Sequence, residues 1–145
     1  MKKKLFSLLI LALCLCLCTG LCASESENLP VIECENISGT FQWQGHDLTV
    51  KNVRLNEEDK AIEVCYLAPE GAPIPTEEVT PENLKLITLK SPSGEAILPA
   101  GYSYWGVTFD ITTGQFGDAK TQEGFVLTYR LPDGVSAEEL ALAAE

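Results

Sequence analysis

The single histidine, His46, is the first candidate for catalysis because it lies next to Asp47. A serine-type triad needs a histidine oriented by a carboxylate and a nucleophile within hydrogen-bonding reach. Adjacent residues at the end of a strand point to opposite faces, so Asp47 cannot easily orient His46. The sequence also has no Gly-x-Ser-x-Gly segment that would present a nucleophilic serine. We therefore predict that His46 is an exposed turn residue and that the chain has no catalytic residues.

The 21 acidic residues offer many carboxylate pairs, but no spacing among them predicts a site. Glycosidases hold two carboxylates about 5–10 Å apart in a cleft, which a domain of this size rarely forms. The segments 57–59 and 110–118 contain oxygen ligands for Ca²⁺ but lack the spacing of a calcium-binding loop. A single histidine disfavours zinc. The sequence predicts no metal and no cofactor, and a small hydrolase or Ca²⁺-dependent factor is the weakest functional hypothesis.

Six cysteines are present, and four of them lie in or beside an apolar N-terminal run, where they act as small apolar residues: Cys14, Cys16, Cys18 and Cys22. Cys34 and Cys65 remain. Two cysteines in an oxidising compartment more often form a structural disulfide than a metal or catalytic pair. A bridge over this loop would stabilise the fold by roughly 3–4 kcal/mol in the chain-entropy model. We predict a Cys34–Cys65 disulfide, with two unpaired buried thiols as the alternative.

Aromatic residues cluster in the segment Gly101-Tyr102-Ser103-Tyr104-Trp105-Gly106. If Trp105 faces the core with the alternating apolar residues after it, strand parity places Tyr102 and Tyr104 on the opposite face. Exposed rings with polar tips suit sugars and peptide partners. Trp43, which lies between glutamines, is a third candidate for this ligand surface. The alternative is that these rings cover the edge of a second sheet.

Short β-strands are predicted around these residues. Apolar residues alternate with polar ones in 41–43, 62–66, 105–111 and 125–131, which is the period of a half-buried strand. In 48–55 the parity of the apolar residues switches near Lys51-Asn52, which predicts a β-bulge. The segments 48–67 and 84–98 are each predicted to contain two strands joined by a turn.

The remaining segments are predicted to be connections. Four prolines make 69–81 a long connection, and 114–124 is a polar loop. Ser136-Ala137-Glu138-Glu139 is typical of a helix start and is expected to give one turn before a last short strand. Six to eight short strands without long helical patterns predict an all-β fold, a small antiparallel β-sandwich.

The N-terminus has the pattern of a secretory signal peptide. Lys2, Lys3 and Lys4 precede an uncharged run from Leu5 to Cys18, and small residues follow it. Cleavage is expected after Ala23, with Gly20 as an alternative. The domain organisation is therefore a signal peptide over 1–23, an acidic tether over 24–38 and a β-sandwich domain over 39–145.

Two alternatives keep the chain at a membrane. An uncleaved signal would act as an anchor, because residues 5–23 approach the ~20 apolar residues that span a bilayer. Lysines before the span would hold the N-terminus inside and still place the domain outside. Lipidation of Cys22 is the minor alternative, because Leu21 stands where a lipoprotein box has a small residue. Every alternative predicts an extracellular or cell-envelope location.

The charge balance is strongly acidic. The formal net charge is −11, and it becomes −14 after removal of 1–23, which contain three of the ten basic residues and none of the 21 acidic ones. Such a charge repels nucleic-acid phosphates and anionic lipids. It thus disfavours nucleic acid as a partner, and membrane contact is expected only through an uncleaved signal or a lipid anchor.

The order of elements resembles a family of immunoglobulin-like domains of unknown function found in exported proteins and lipoproteins of Gram-positive bacteria. The resembling stretches are the hairpin over 48–67, the unit over 84–98 that turns at Pro92-Ser93-Gly94, and the closing strand over 124–132. In that family the closing strand ends at proline and precedes a short leucine-containing piece, as Leu140 and Leu142 do here.

This resemblance covers most of the chain after residue 23. It implies an immunoglobulin-like sandwich and an envelope location, and it supplies no activity and no catalytic residues. The chain departs from the family in lacking a clear lipoprotein box and in having Cys34 and Cys65.

The leading functional hypothesis is a non-catalytic extracellular interaction module of the cell envelope that binds a protein or an envelope glycan. The second is a carbohydrate-binding module that uses Tyr102, Tyr104 and Trp43. A flat apolar patch would favour the first, and an exposed coplanar aromatic pair would favour the second. The sequence does not predict the oligomeric state.

Overall fold

A computed structural model of the chain describes residues 29–105, 109–110, 115–116 and 121–143, with side chains through residue 103 and from residue 121. The predicted signal peptide, Cys22 and the side chain of Tyr104 lie outside these residues. No helix in the described ranges is both long and apolar enough to cross a membrane.

The described fold is mostly antiparallel β-sheet, as predicted. In chain order its strands are β1 (Val31–Ile32), β2 (Thr40–Trp43), β3 (His46–Asn56), β4 (Ala61–Leu67), β5 (Ile74–Pro75), β6 (Thr88–Lys90), β7 (Ala96–Ile97), β8 (Gly101–Trp105), β9 (Phe109–Asp110), β10 (Gln115–Phe116), β11 (Thr121–Gln122), β12 (Gly124–Arg130) and β13 (Ala141–Ala143). Helix α1 (Pro81–Leu84) and the 3₁₀ turns Thr76–Glu78 and Ala137–Glu139 complete the described elements.

The largest sheet has the strand order β1-β3-β4-β12-β8, and β2 pairs with β3 alongside β1. The pairing of β3 with β4 shifts by one residue, since Val50 is opposite Tyr66 and Asn52 is opposite Cys65. This irregularity confirms the predicted bulge at Lys51. It explains the parity switch, because the extra residue returns Val53 to the face on which Leu48 lies.

A second sheet has the order β13-β6-β7, and the pairs β5–β11 and β9–β10 are separate two-stranded sheets. The turn and short strand predicted near the C-terminus are confirmed. Ser136 and Glu139 form a reciprocal capping box on the 3₁₀ turn Ala137–Glu139, and β13 follows.

Two predicted segments differ from the structure. The strand expected from residue 84 begins only at Thr88, because α1 occupies the preceding residues. The Thr80 hydroxyl accepts a hydrogen bond from the backbone N–H of Asn83, and Pro81 stands at the first helical position. The polar loop expected over 114–124 contains the short strands β10 and β11.

One face of the largest sheet supplies the centre of the hydrophobic core. On β4 and β12 the core residues are Ile62, Val64, Tyr66, Phe125, Leu127 and Tyr129, all fully buried. Leu89 of the second sheet and Leu140, which precedes β13, belong to the same core. Cys34 and Ile37, within the segment expected to be a tether, are also buried there.

The predicted Cys34–Cys65 disulfide is absent, since both thiols are free and buried. The Cys34 Sγ lies in the core and donates to the carbonyl oxygen of Ala137 at 3.6 Å. Cys65 alternates with the core residues Val64 and Tyr66 and therefore points to the opposite face of β4. The spacing of two cysteines in a sequence does not define the sheet face of each, and this is why the prediction failed.

Candidate interaction surface

His46 is half-buried at the start of β3 rather than exposed in a turn. Its Nε2 lies 2.6 Å from Oε2 of Glu78, in the 3₁₀ turn before α1. Asp47 instead accepts a hydrogen bond from the amide of Gln42. His46 therefore tethers the β2–β3 hairpin to the segment before α1, a contact that sequence spacing could not indicate because the partners are 32 residues apart.

Trp43 does not belong to an exposed ligand surface, because its side chain is only 4% exposed. Its ring packs edge-on against Phe125, with centroids 5.4 Å apart. Its indole N–H donates to the carbonyl oxygen of Asn83 at 3.0 Å. The polar group of the ring is thus satisfied inside the protein, and Trp43 fixes α1 against the core.

Tyr102 is 43% exposed but lies on a different face from the one predicted. In β8 it pairs with Leu127 of β12, so it shares the face of a core residue. It remains accessible because, among the described strands, β8 pairs only with β12 and lies at the edge of the sheet. The prediction assumed that Trp105 faces the core, whereas the β8–β12 register places Tyr102 opposite the core residue Leu127.

Two neighbouring grooves meet at Lys85, directly after α1. The first has a volume of about 480 Å³ and is lined by residues of β2 and of the segment from Lys85 through β6. The second, about 410 Å³, lies beside α1 and β8 and includes Pro81, Pro99 and Tyr102. Lys85 lines both. We name the two grooves together with their exposed rim the Lys85 surface.

The rim of the Lys85 surface is apolar. Leu86 lines the first groove and is 60% exposed. Leu98, 58% exposed, lies between Ala96 of the first groove and Pro99 of the second. With Tyr102, these are three of the four large hydrophobic residues exposed in the described part of the chain. The fourth, Val31, is opposite Arg54, which is opposite Glu63, so it lies on the face of the largest sheet that points away from the core.

The charges lining the Lys85 surface are both positive. Lys85 and Lys90 line the grooves, and no carboxylate of the described residues does. Both lysines are exposed, and neither has an ion-pair partner among the described residues. In a chain with 21 acidic and ten basic residues, this is a local reversal of the overall charge.

A second polar cluster lies on the other face of the largest sheet. Asn52 is opposite Cys65 in the β3–β4 register, and Glu63 lies two residues along on the same face. The Asn52 Oδ1 and Glu63 Oε2 atoms are buried without a hydrogen-bond partner. Burial raises the pKa of the Glu63 carboxyl and of the Cys65 thiol. A thiol with a raised pKa is a poor nucleophile, so this cluster lacks the chemistry of a cysteine active site.

Among the described residues, no group of three histidine, cysteine, aspartate or glutamate side chains is arranged to hold a metal ion. The Lys85 surface combines concave volume, exposed apolar side chains and two lysines that have no ion-pair partner in the described part of the chain. Comparison with protein-family models, curated proteins and solved structures gave no match.

Proposed function

We propose that this chain is a non-catalytic interaction module that is exported and binds a protein of the cell envelope through the Lys85 surface. The observation that carries the proposal is that exposed Leu86 lines one groove and exposed Tyr102 lines the other, while exposed Leu98 stands in the chain between the groove residues Ala96 and Pro99. Exposed apolar surface costs about 25 cal/mol per Å² relative to burial. Apolar patches rimmed by polar residues commonly mark interaction sites.

The arrangement of the residues supports a protein partner. Protein interfaces are enriched in aromatic residues relative to the rest of the surface, and apolar side chains contribute much of their area. Tyr102 supplies the aromatic anchor, Leu86 and Leu98 supply aliphatic area, and Lys85 and Lys90 supply the charged positions. Alanine scans of protein interfaces find tyrosine among the residues whose truncation costs most affinity.

Export is the part of the proposal that rests on residues 1–23, whose lysines and uncharged run are those of a signal peptide. An immunoglobulin-like sandwich is the finer fold that we propose. It is supported by the core that Leu89, near the second sheet's centre, shares with Tyr129 of the largest sheet. Sandwich domains present loops and edges for binding while their two inner faces form the core.

Carbohydrate binding is the alternative that the geometry supports less. Stacking on a sugar needs an accessible aromatic ring, and the burial of Trp43 removes one of the three predicted platforms. Tyr102 remains accessible, but its exposed neighbours at the rim are the aliphatic side chains of Leu86 and Leu98. Aliphatic side chains match apolar protein groups better than the hydroxyl groups of a glycan.

The experiment measures binding of the purified chain 24–145, labelled at its amino terminus, to cells that produce the protein. We expect saturable binding that is lost when Leu86, Leu98 and Tyr102 are all replaced by serine. Val31→Ser is the matched control, because it also removes an exposed hydrophobic side chain but lies on the face of the largest sheet opposite the one that Tyr102 shares with Leu127.

Unfolding by urea shows whether the triple variant is folded, so loss of binding can be assigned to the surface. Pretreatment of the cells with protease should abolish binding of the native chain. Binding that survives protease would identify a glycan and overturn the protein partner. Equal binding by the folded triple variant and the native chain would overturn the Lys85 surface as the site.

A further inference from the structure

We infer that the ligand of the Lys85 surface is an extended peptide segment that alternates apolar and acidic side chains, an inference that rests on the proposed function. Charge complementarity is the first argument. Of the described residues, Lys85 and Lys90 are the charged ones that line the grooves, and neither has an ion-pair partner there, whereas the chain as a whole is acidic. The overall charge would repel an anionic ligand everywhere except where local cations receive it.

The shape of the surface favours an elongated ligand. Grooves of about 480 and 410 Å³ lie on either side of Lys85, which lines both of them. Apolar side chains of a bound segment would occupy the grooves, and a carboxylate between them would lie near the Lys85 ammonium group. Side chains on one face of an extended chain recur at every second residue, which matches apolar groups separated by a charged one.

Two strand edges beside the surface favour an extended backbone. Within the described part of the chain, β7 pairs only with β6 and β8 pairs only with β12. Leu98 and Pro99 lie between β7 and β8, so the exposed apolar rim connects the two edges. Extended peptides commonly bind by adding a strand to the edge of a sheet, and side-chain grooves then give specificity.

The test is a titration of the ¹⁵N-labelled chain 24–145 with defined probes, followed by NMR. The probes are an octapeptide of alternating leucine and glutamate, its leucine–glutamine and leucine–lysine counterparts, and polygalacturonate. We expect the glutamate peptide to shift amide signals of the Lys85 surface, and we expect its affinity to fall as the salt concentration is raised. Lys85→Glu should raise the Kd of the glutamate peptide on the order of tenfold, because the cation shared by the two grooves becomes a like charge.

Lys60→Glu is the control, because Lys60 is also exposed and lines neither groove of the Lys85 surface. It should leave the Kd unchanged. If the glutamine peptide binds as tightly as the glutamate peptide, or the lysine peptide binds more tightly, the ligand is not acidic. If polygalacturonate binds more tightly than the glutamate peptide, the ligand is not a peptide. If none of the four probes shifts the amide signals of the Lys85 surface, the inference is overturned. Binding to cells in the separate assay would then still support the proposed function, so the two failures are distinguishable.

Discussion

Tyr129 Oη lies 3.0 Å from Tyr66 Oη and donates a hydrogen bond to the carbonyl oxygen of Ile87, 2.8 Å away. Because the Tyr129 hydrogen is used on Ile87, Tyr66 is the donor to Tyr129. Both tyrosines are fully buried in the core. This chain of two bonds connects β4 and β12 to the segment between α1 and β6, which carries Leu86.

Removing the two hydroxyl groups should have unequal effects. Tyr129→Phe leaves the Ile87 carbonyl without this donor and Tyr66 without its acceptor, so we expect a loss of about 1–3 kcal/mol in the free energy of unfolding. Tyr66→Phe leaves the Tyr129–Ile87 bond intact and should cost about 0.5–1.5 kcal/mol. Urea unfolding of both variants and of the double variant measures the coupling. A larger loss from Tyr66→Phe would contradict the assigned direction of the bonds.

Gly124, at the start of β12, should not tolerate a side chain. A Cβ at this position would lie 2.1 Å from the carbonyl oxygen of Tyr66 and 2.9 Å from a methyl carbon of Leu67. Since the first neighbour is backbone, the strands must separate, and overpacking of this kind costs about 1–3 kcal/mol or more.

Gly101→Ala is the matched control for Gly124→Ala, because its Cβ would make only an ordinary contact, 3.8 Å from Cβ of Thr128. Thermal and urea unfolding should show that Gly124→Ala is much less stable than the native chain and that Gly101→Ala is nearly as stable as the native chain. Equal stabilities of the two variants would show that β4 and β12 are not packed as described.

Glu63 should make stability fall as the pH rises. Burial raises the pKa of its carboxyl above the ordinary value of 4.5, although the charge of Arg54 opposes this. The folded state therefore binds the proton more tightly than the unfolded state. The resulting contribution to stability is complete below the unfolded pKa and is lost as the pH rises through the folded pKa.

Glu63→Gln should consequently be more stable than the native chain at pH 7 and lose that advantage toward pH 3. The free energy of unfolding, measured by urea titration across this range, tests the difference. Glu58→Gln, in an exposed turn, measures the general effect of removing one negative charge from an acidic chain. If the free energies of unfolding of Glu63→Gln and the native chain differ by the same amount at every pH, the raised pKa of Glu63 is contradicted.

The thiols of Cys34 and Cys65 should be inert in the folded chain 24–145. Both are free and buried, and burial raises the pKa of each, so the nucleophilic thiolate is scarce. Without reductant, Ellman's reagent should react slowly with the native chain. It should react rapidly with both thiols once the chain is unfolded in guanidinium. If the unfolded chain reacts only after reduction, the cysteines are bridged and the described faces of β4 are incorrect.

The central strands could be predicted from the sequence because large apolar residues recur at every second position. Phe125, Leu127 and Tyr129 alternate in this way in β12, and Ile62, Val64 and Tyr66 do so in β4. The bulge at Lys51 was also predictable, since one extra residue leaves a parity switch in the apolar pattern. These are local signals, and they define the sheet that positions β8.

Helix α1 was not predicted because two local signals conflict. Leu84, Leu86 and Thr88 have the spacing of a strand, whereas Thr80 and Pro81 have the types that start a helix. The tertiary contact from the Trp43 indole to the Asn83 carbonyl stabilises the helical turn, and its partners are 40 residues apart. The Thr-Pro-Glu-Asn segment was the signal available in the sequence.

The Lys85 surface could not be predicted because residues from β2, α1, β6, β7 and β8 assemble it. Tyr102 was identified from its type and its glycine neighbour. Leu86 and Leu98 appear in the sequence as ordinary strand residues, and only the packing of their neighbours shows that they are exposed. The burial of Trp43 could not be predicted either, because its indole N–H bonds to the carbonyl oxygen of Asn83, 40 residues away.

The most direct test of the Lys85 surface is photo-crosslinking in producing cells. A photoreactive benzoyl-phenylalanine replaces Tyr102 in one strain and Val31 in another, because both positions are exposed and lie on opposite faces of the largest sheet. We predict a discrete protein adduct from position 102, weakened by Lys85→Glu, and none from position 31. No adduct from position 102, or the same adducts from both positions, would contradict the assignment of this surface as the binding site.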